Sequence, residues 1–132
     1  VCVQAEGCAP IVRAYKEGKD KAEFFQGAHT IAAGVRVPAA IGDFLVLDAV
    51  KTSGGTALTV TDEEILETWH DIAKTDGALI CPEGAAAVKA ARLIREMGLV
   101  GEEDAVLILN TGAGMKYTEL MTEKARKLTE PL

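Results

Sequence analysis

A short apolar run near the end of the chain stops abruptly in a polar turn that contains two glycines. Val106–Leu109 has the pattern of a buried strand, and it leads directly into Asn110-Thr-Gly-Ala-Gly114. In α/β proteins, ligands bind at the carboxyl edge of the sheet, where strands give way to loops. The hydroxyl of Thr111 could hydrogen-bond a ligand heteroatom there, and the glycines would let the backbone approach closely. A threonine that only caps a turn fits the same pattern, so both interpretations stay open.

A second polar residue at the same predicted edge is Glu83. It follows a short predicted strand at Leu79–Cys81 and comes just before a long predicted helix at Ala85–Met97. A carboxylate in that position could shape a site electrostatically or act as an acid or base. The first turn of a helix also favours a carboxylate through the helix dipole, without any functional role. The second interpretation is the more common one for an isolated glutamate.

Three other candidates are weaker. Ser53-Gly-Gly-Thr56 resembles a phosphate cradle, but it follows a helix and precedes a strand, whereas anion-binding loops lead into a helix N-terminus. Cys8 and Cys81 lie near predicted helix starts, where a thiol pKa can fall, yet small buried cysteines are more common. His29 and His70 are the only histidines. His29 lies in a loop and could line a cleft, although a structural role is favoured, and we expect His70 to be at the surface or half-buried in a helix. No Ser/His/Asp triad can be assembled from these residues.

Composition excludes several classes of function. The chain has 132 residues, a formal net charge of −6 and a pI of about 4.9, which argues against nucleic-acid binding. Three cysteines without framework spacing argue against a disulfide scaffold or a structural zinc site, and favour a reducing, cytoplasmic setting. No apolar run is long enough to span a bilayer, so we expect no membrane partner. There is no C-x-x-C motif and no Cys/His cluster, so we expect no metal.

The elements alternate between strands and helices, which predicts an α/β fold with a mostly parallel sheet flanked by helices. The predicted strands are Val1–Ala5, Thr56–Val60, Leu79–Cys81 and Val106–Leu109. The predicted helices are Ala9–Tyr15, Pro38–Lys51, one that opens at Thr61 or Asp62 and ends at Gly77, Ala85–Met97 and Tyr117–Leu128. Because the chain opens in a β-type run without an initiator methionine, we expect it to be part of a longer domain.

The order of several short motifs resembles the C-terminal part of the threonine synthase family. The similarity extends from Gln4 to Tyr117, and the order and spacing of the motifs together are specific. These motifs are Gln4-Ala-Glu-Gly-Cys-Ala-Pro-Ile-Val12, Thr30-Ile-Ala-Ala-Gly34, Arg36-Val-Pro38, Ser53-Gly-Gly55, Thr61-Asp-Glu-Glu-Ile65, Cys81-Pro-Glu-Gly-Ala-Ala86 and Asn110-Thr-Gly-Ala-Gly114. Several relatives carry Cys-Glu-Pro at the position of Cys81-Pro-Glu83, so the carboxylate is displaced here by one residue.

The resemblance implies a partial large domain of the tryptophan-synthase-β-like, fold type II class, with residues 1–132 as the C-terminal portion and 118–132 as a terminal helix or tail. It implies pyridoxal 5′-phosphate as the cofactor of the intact enzyme, with Thr111, Gly112 and Glu83 in its pocket. In this family a Ser or Thr hydroxyl after the last core strand hydrogen-bonds the pyridine nitrogen, and Thr111 matches that position. The Schiff-base lysine belongs upstream in the family, so no catalytic residue is assigned in this chain, which alone should be inactive.

The implied reaction of the intact enzyme converts O-phosphohomoserine and water into threonine and phosphate. The expected partners are that substrate, the N-terminal part of the same enzyme, and further copies in a homo-oligomer. Two alternatives remain: a pyridoxal-phosphate-dependent serine/threonine dehydratase, and a stand-alone α/β module that binds a small ligand.

Overall fold

The protein has an α/β architecture, and the computed structural model describes residues 1–122. Two strands occur in that part of the chain, β1 (Cys2–Ala5) and β2 (Ala57–Val60). The helices of residues 1–122 are α1 (Pro10–Lys16), α2 (Asp43–Thr52), α3 (Asp62–Thr75), α4 (Pro82–Glu96) and α5 (Thr118–Thr122). Single 3₁₀ turns lie at Glu6–Cys8, Ala33–Val35 and Gly114–Lys116.

The two strands pair in parallel, in a register that sets Cys2 opposite Ala57 and Ala5 opposite Val60. Helices α1 and α2 lie between the strands in sequence, as a parallel pair requires, because the chain must cross back before it can run in the same direction. This arrangement confirms the predicted α/β class with parallel strands.

The end of β1 determines how α1 begins. The side-chain oxygen of Gln4 accepts hydrogen bonds from the backbone N–H groups of Ile11 at 2.9 Å and Val12 at 3.0 Å. These N–H groups lie in the first turn of the helix, where they have no partner within the helix itself. Pro10 occupies the first helical position, which needs no N–H donor. The predicted helix is therefore confirmed, with its cap supplied by the preceding strand.

Helix α3 begins with a capping box. The Glu64 N–H donates to the Thr61 hydroxyl at 3.1 Å, and the Thr61 N–H donates to the Glu64 carboxylate at 2.9 Å. The helix has an apolar face at helical spacing, which is buried at Ile65, Trp69 and Ile72. It packs against α4 and the sheet in the main core of the described residues, whose buried members include Val60, Ile65, Trp69, Ala86, Ala90 and Ile94.

Two of the predicted strands are wrong. Val106–Leu109 is irregular, and the side chains of Leu107 and Leu109 are 86% and 74% exposed. An apolar run becomes a strand only if a neighbouring backbone offers hydrogen bonds. Within residues 1–122, the only sheet contains β1 and β2, and the 106–109 run does not pair with it. Leu79–Cys81 forms a single antiparallel bridge, in which Ile80 pairs with Ala113, instead of a strand.

The helix boundaries also differ from those expected. α2 begins at Asp43, five residues later than predicted, because Pro38–Gly42 forms turns. Asp43 then accepts the N–H of Phe44 at 2.8 Å and that of Ala22 at 2.6 Å. α4 begins earlier than predicted, at Pro82, because Cys81 caps it. Of the predicted terminal helix Tyr117–Leu128, α5 covers Thr118–Thr122, and the rest lies outside the described residues.

The weaker candidates make local contacts within the chain or are buried. The Ser53 hydroxyl donates to the Val50 carbonyl at 3.3 Å where α2 ends, and Gly54 has a φ of 63°. His29 is exposed, with its Nδ1 3.0 Å from the Gly27 carbonyl oxygen, and His70 is half-buried beside Trp69. Cys8 is buried, and this burial raises its pKa. None of the helices in residues 1–122 has the length and apolar character needed to cross a bilayer.

Candidate active site

The loop that carries Thr111 is attached to the segment before α4. The backbone N–H of Cys81 donates to the Gly112 carbonyl at 3.2 Å, and the N–H of Gly114 donates to the Leu79 carbonyl at 3.0 Å. The segment is itself held by the core, because the Trp69 indole donates to the Ile80 carbonyl at 2.6 Å. A buried aromatic side chain therefore fixes the backbone on which the Thr111 loop rests.

Gly112 and Gly114 are glycines because another segment of the chain lies too close to leave room for a side chain at Gly114 and leaves little room for one at Gly112. A Cβ atom at Gly114 would lie 2.6 Å from the Ile80 carbonyl oxygen, and one at Gly112 would lie 3.3 Å from the Cys81 Cβ. Neither glycine has a positive φ, so a left-handed conformation is not the reason for either. The sequence interpretation was that these glycines let the backbone approach a ligand, whereas the structure shows the 79–81 segment of the same chain as their close neighbour.

Cys81 connects the Thr111 loop to the first turn of α4. Its sulfur accepts a hydrogen bond from the Gly84 N–H at 3.4 Å, and its thiol donates to the side-chain oxygen of Asn110 at 3.3 Å. The predicted burial of this cysteine is confirmed, since it is 2% exposed. Its contact with Asn110 was missed, because nothing in the sequence relates positions 29 residues apart.

Glu83 lies in the first turn of α4 and is half-buried. Its Oε1 accepts hydrogen bonds from the Gly34 N–H at 2.7 Å and from the Tyr117 hydroxyl at 2.6 Å. Burial of the carboxyl group opposes its ionisation, but hydrogen bonds from Tyr117, its own N–H and Gly34 outweigh burial and hold the pKa of Glu83 below its usual range. The carboxylate is therefore a hydrogen-bond acceptor at neutral pH.

Tyr117 is the residue of the site that sequence reasoning missed. Burial, together with the hydrogen bond and the negative charge of Glu83, raises the pKa of the Tyr117 hydroxyl to about 12. The phenol therefore keeps its proton and donates a hydrogen bond to the carboxylate. The sequence placed Tyr117 only at the start of a helix, and no local pattern connects it with a glutamate 34 positions earlier.

Glu83 and Thr111 line one cleft of about 400 Å³, which is within the size range of small-molecule sites. Most of the wall is apolar and comes from the start of the chain, α4 and the segment before Thr111. The apolar lining residues are Val1, Val3, Val35, Ala87, Ala90, Ala91, Ile94, Val106, Leu107, Ile108 and Leu109. Thr111 is exposed, and its hydroxyl has no hydrogen-bond partner within residues 1–122. Gly112 is half-buried beside it.

The family model described as pyridoxal-phosphate dependent enzyme matches residues 1–112. The chain belongs to this family. The match includes β1, the capping box of α3, Glu83 and the Thr111 turn as far as Gly112.

Members of the family that act in threonine synthesis are similar to this chain. The threonine synthase of Methanosarcina acetivorans is 37% identical over 127 residues, which are 96% of this chain and 31% of the relative. The threonine synthase of Methanocaldococcus jannaschii is 31% identical over 114 residues, which are 86% of this chain and 28% of the relative. The resemblance predicted from the motifs is therefore confirmed, and the chain spans about a third of the length of these relatives.

Solved structures of the same fold agree with this family. A threonine deaminase from T.th. superposes with a TM-score of 0.57 at 20% identity, covering 80% of this chain and 40% of the deaminase. Maize serine racemase superposes with a TM-score of 0.59 at 18% identity, covering 91% of this chain and 37% of the racemase. At these identities the likeness concerns the fold, and it confirms the predicted fold type.

The cleft is chemically suited to one side of the family's cofactor. A heteroaromatic ring needs an apolar wall and one hydrogen-bonding group at its ring nitrogen, and the cleft offers alanine and valine side chains with a single unpaired hydroxyl at Thr111. No lysine lines this cleft among residues 1–122. The described residues that line the cleft therefore fit contacts with the ring.

Proposed function

We propose that this chain is the C-terminal part of a threonine synthase that uses pyridoxal 5′-phosphate to convert O-phosphohomoserine and water into threonine and phosphate. The observation that carries the proposal is the 37% identity with a threonine synthase over 96% of the chain. In agreement with it, the unpaired hydroxyl of Thr111 lies in the wall of an apolar cleft. The bound cofactor supplies an electron sink for the substrate carbons.

Thr111 would hold the ring nitrogen of the cofactor. Its hydroxyl can donate a hydrogen bond to a neutral nitrogen, and it is too weak an acid to transfer its proton. The nitrogen would then stay neutral, in contrast to a site with a carboxylate partner. Gly112, which is half-buried next to Thr111, would let the loop backbone approach the ring, and the Glu83 carboxylate would form the polar part of the cleft wall.

The remaining components of a complete site would come from outside this chain. The Schiff-base lysine and the phosphate-binding loop would be supplied by an N-terminal part of the same enzyme, docked on the cleft side. We also propose that the enzyme works in the cytoplasm as a homo-oligomer. The exposed apolar side chains of Leu107 and Leu109 support a partner on this face, since contiguous exposed apolar surface marks contact sites.

The decisive experiment measures the reaction of the polypeptide that contains this sequence. Release of phosphate from O-phosphohomoserine is expected, and release of ammonia from threonine without phosphate release would support the dehydratase instead. Neither activity, together with no cofactor bound, would support a stand-alone binding module.

A matched pair of variants links the activity to this site. Thr111→Val keeps the shape of the side chain and removes its hydroxyl, so kcat/KM should fall at least about tenfold, the effect of losing one hydrogen bond at a ring nitrogen. Thr111→Ser keeps the hydroxyl and should retain most activity. Equal rates for the Val variant and the wild type would contradict the role of Thr111.

A further inference from the structure

Glu83 joins three segments of the chain at a single oxygen atom. It lies in the first turn of α4, and its Oε1 accepts hydrogen bonds from the Gly34 N–H at 2.7 Å and the Tyr117 hydroxyl at 2.6 Å. The two donors are 49 and 34 residues away in sequence, so the junction exists only in the folded chain. Hydrogen bonds to a charged acceptor are stronger than those between neutral groups.

The backbone around Gly34 is shaped to receive this carboxylate. A Cβ atom at position 34 would lie 2.8 Å from Glu83 Oε1, closer than real Cβ atoms come to an oxygen. Gly34 has no positive φ, so its conformation does not require glycine. A side chain at position 34 would therefore push the Glu83 carboxylate away from its place at the Gly34 N–H.

Tyr117 extends the junction to the Thr111 loop. Its backbone N–H donates to the Gly114 carbonyl at 2.8 Å, and the Gly114 N–H donates to the Leu79 carbonyl at 3.0 Å. The phenol therefore fixes the far end of the loop, while Cys81 holds its near end through Gly112. Thr111 directly precedes the Gly112 attachment, its other neighbour Asn110 accepts from the Cys81 thiol at 3.3 Å, and it shares a cleft with Glu83.

We propose that Glu83 is a positioning residue for Thr111: by binding Gly34 and Tyr117 together, it holds the loop so that the Thr111 hydroxyl faces the cleft. The proposal depends on the proposed function at one point, namely that Thr111 is the residue that contacts the cofactor. Glu83 acts through Tyr117 and the loop, and its Oε1 is already committed to two donors from this chain.

The test measures backbone amides by NMR in the 132-residue chain without cofactor. In Tyr117→Phe, the bridge amides of Gly114 and Cys81, which donate to Leu79 and Gly112, should exchange at least about tenfold faster, as expected for losing a hydrogen bond to a charged group. The Thr111 resonance should shift, while the Gly34 amide stays protected because its bond to Glu83 remains. Tyr15→Phe is the matched control, since Tyr15 donates to Gly55 instead and lies far from the loop in sequence.

Two substitutions of Glu83 complete the design. Glu83→Ala removes the acceptor, so protection should fall at Gly34 and at Gly114 alike. Glu83→Gln keeps a side-chain oxygen and should restore a large part of that protection. Amides of α3, such as that of Ile65, serve as the reference for global opening. If Glu83→Ala does not fold, Tyr117→Phe still decides the question.

The proposal is overturned if Tyr117→Phe leaves the Thr111 resonance and the exchange of Gly114 as in the wild type. It is also overturned if the amides of α3 accelerate to the same extent as the loop, because the effect is then general loss of stability. The NMR test uses no cofactor or substrate. A negative threonine synthase assay would therefore not change the conclusion about Glu83, and a negative NMR result would not change the conclusion about the activity.

Discussion

The thiol of Cys81 donates a hydrogen bond to the side-chain oxygen of Asn110, with sulfur and oxygen 3.3 Å apart. The backbone N–H of the same cysteine binds the Gly112 carbonyl at 3.2 Å. One buried residue thus holds both neighbours of Thr111 and leaves the threonine side chain exposed between them. A binding group on a loop is positioned more precisely when hydrogen bonds fix its flanking residues in this way.

Replacing Cys81 should therefore loosen the Thr111 loop. Cys81→Ala removes the thiol donor to Asn110 and the acceptor for the Gly84 N–H, and the free energy of unfolding should fall by about 1–2 kcal/mol. Cys81→Ser keeps a donor and an acceptor and should recover part of that loss. Urea unfolding measures both effects, and the Thr111 amide resonance reports the loop directly.

The control for Cys81 is the other fully buried cysteine. Cys8→Ala also removes a buried thiol, but Cys8 lies in the 3₁₀ turn before α1, in another part of the sequence. This variant should leave the Thr111 resonance in place even if it destabilises the protein. Equal displacement of that resonance in the two alanine variants would contradict the assignment of Cys81 as the anchor of the loop.

Gly114 should tolerate no side chain. A Cβ atom there would lie 2.6 Å from the Ile80 carbonyl oxygen, and backbone cannot move aside cheaply. Gly114→Ala should lower the free energy of unfolding by about 2 kcal/mol, the usual cost of forcing an extra carbon into a packed position. At Gly101 a Cβ atom would meet only a side-chain oxygen at 3.4 Å, so Gly101→Ala should change stability by less than about 0.5 kcal/mol. Similar losses from both substitutions would contradict this account.

The parts of the fold that depend on local patterns could be predicted from the sequence. The helix start at Thr61 or Asp62 was predicted, and Thr61 caps it in a capping box with Glu64, three residues later. Ile65, Trp69 and Ile72 recur at helical spacing, and this local pattern matches the buried face of α3. Gly54, Gly77 and Gly98 follow helices with φ values of 63°, 64° and 71°, where a side chain would be strained. Each of these signals acts within a few residues.

The parts that depend on distant segments could not be predicted. Val106–Leu109 has the composition of a strand, but a strand also needs a neighbouring backbone, and no pattern in the run itself shows whether one is present. Thr111 was found because polar residues follow an apolar run. The loop that carries Thr111 is supported by the hydrogen bond from the Tyr117 hydroxyl to Glu83, which joins residues 34 positions apart. The residue that faces the cleft was therefore predictable, and the residues that hold it were not.

The tyrosine at the junction should titrate abnormally. Burial and Glu83 raise the pKa of Tyr117 to about 12, so its neutral form stabilises the fold below pH 10, and this contribution is lost as the pH rises through about 12. Glu83→Gln removes the negative charge, and the pKa should move towards 10.0 without reaching it, because burial remains. The ring-carbon resonances of Tyr117 follow the titration in a Tyr15→Phe background. A pKa that is unchanged in Glu83→Gln would contradict the contact.

Acid should destabilise the protein partly through Glu64. The hydrogen bond from the Thr61 N–H lowers the pKa of Glu64; burial opposes this and Lys89 adds to it. Because the folded pKa lies below the ordinary value of 4.5, the ionised carboxylate contributes stability above pH 4.5 that is lost as the pH falls through the lower folded value. Glu64→Gln should therefore flatten the fall in the free energy of unfolding on acidification, measured by urea unfolding at several pH values. Glu63→Gln removes a neighbouring, exposed charge and is the matched control. If the two variants lose stability in acid along the same curve, the capping box does not carry this part of the pH dependence.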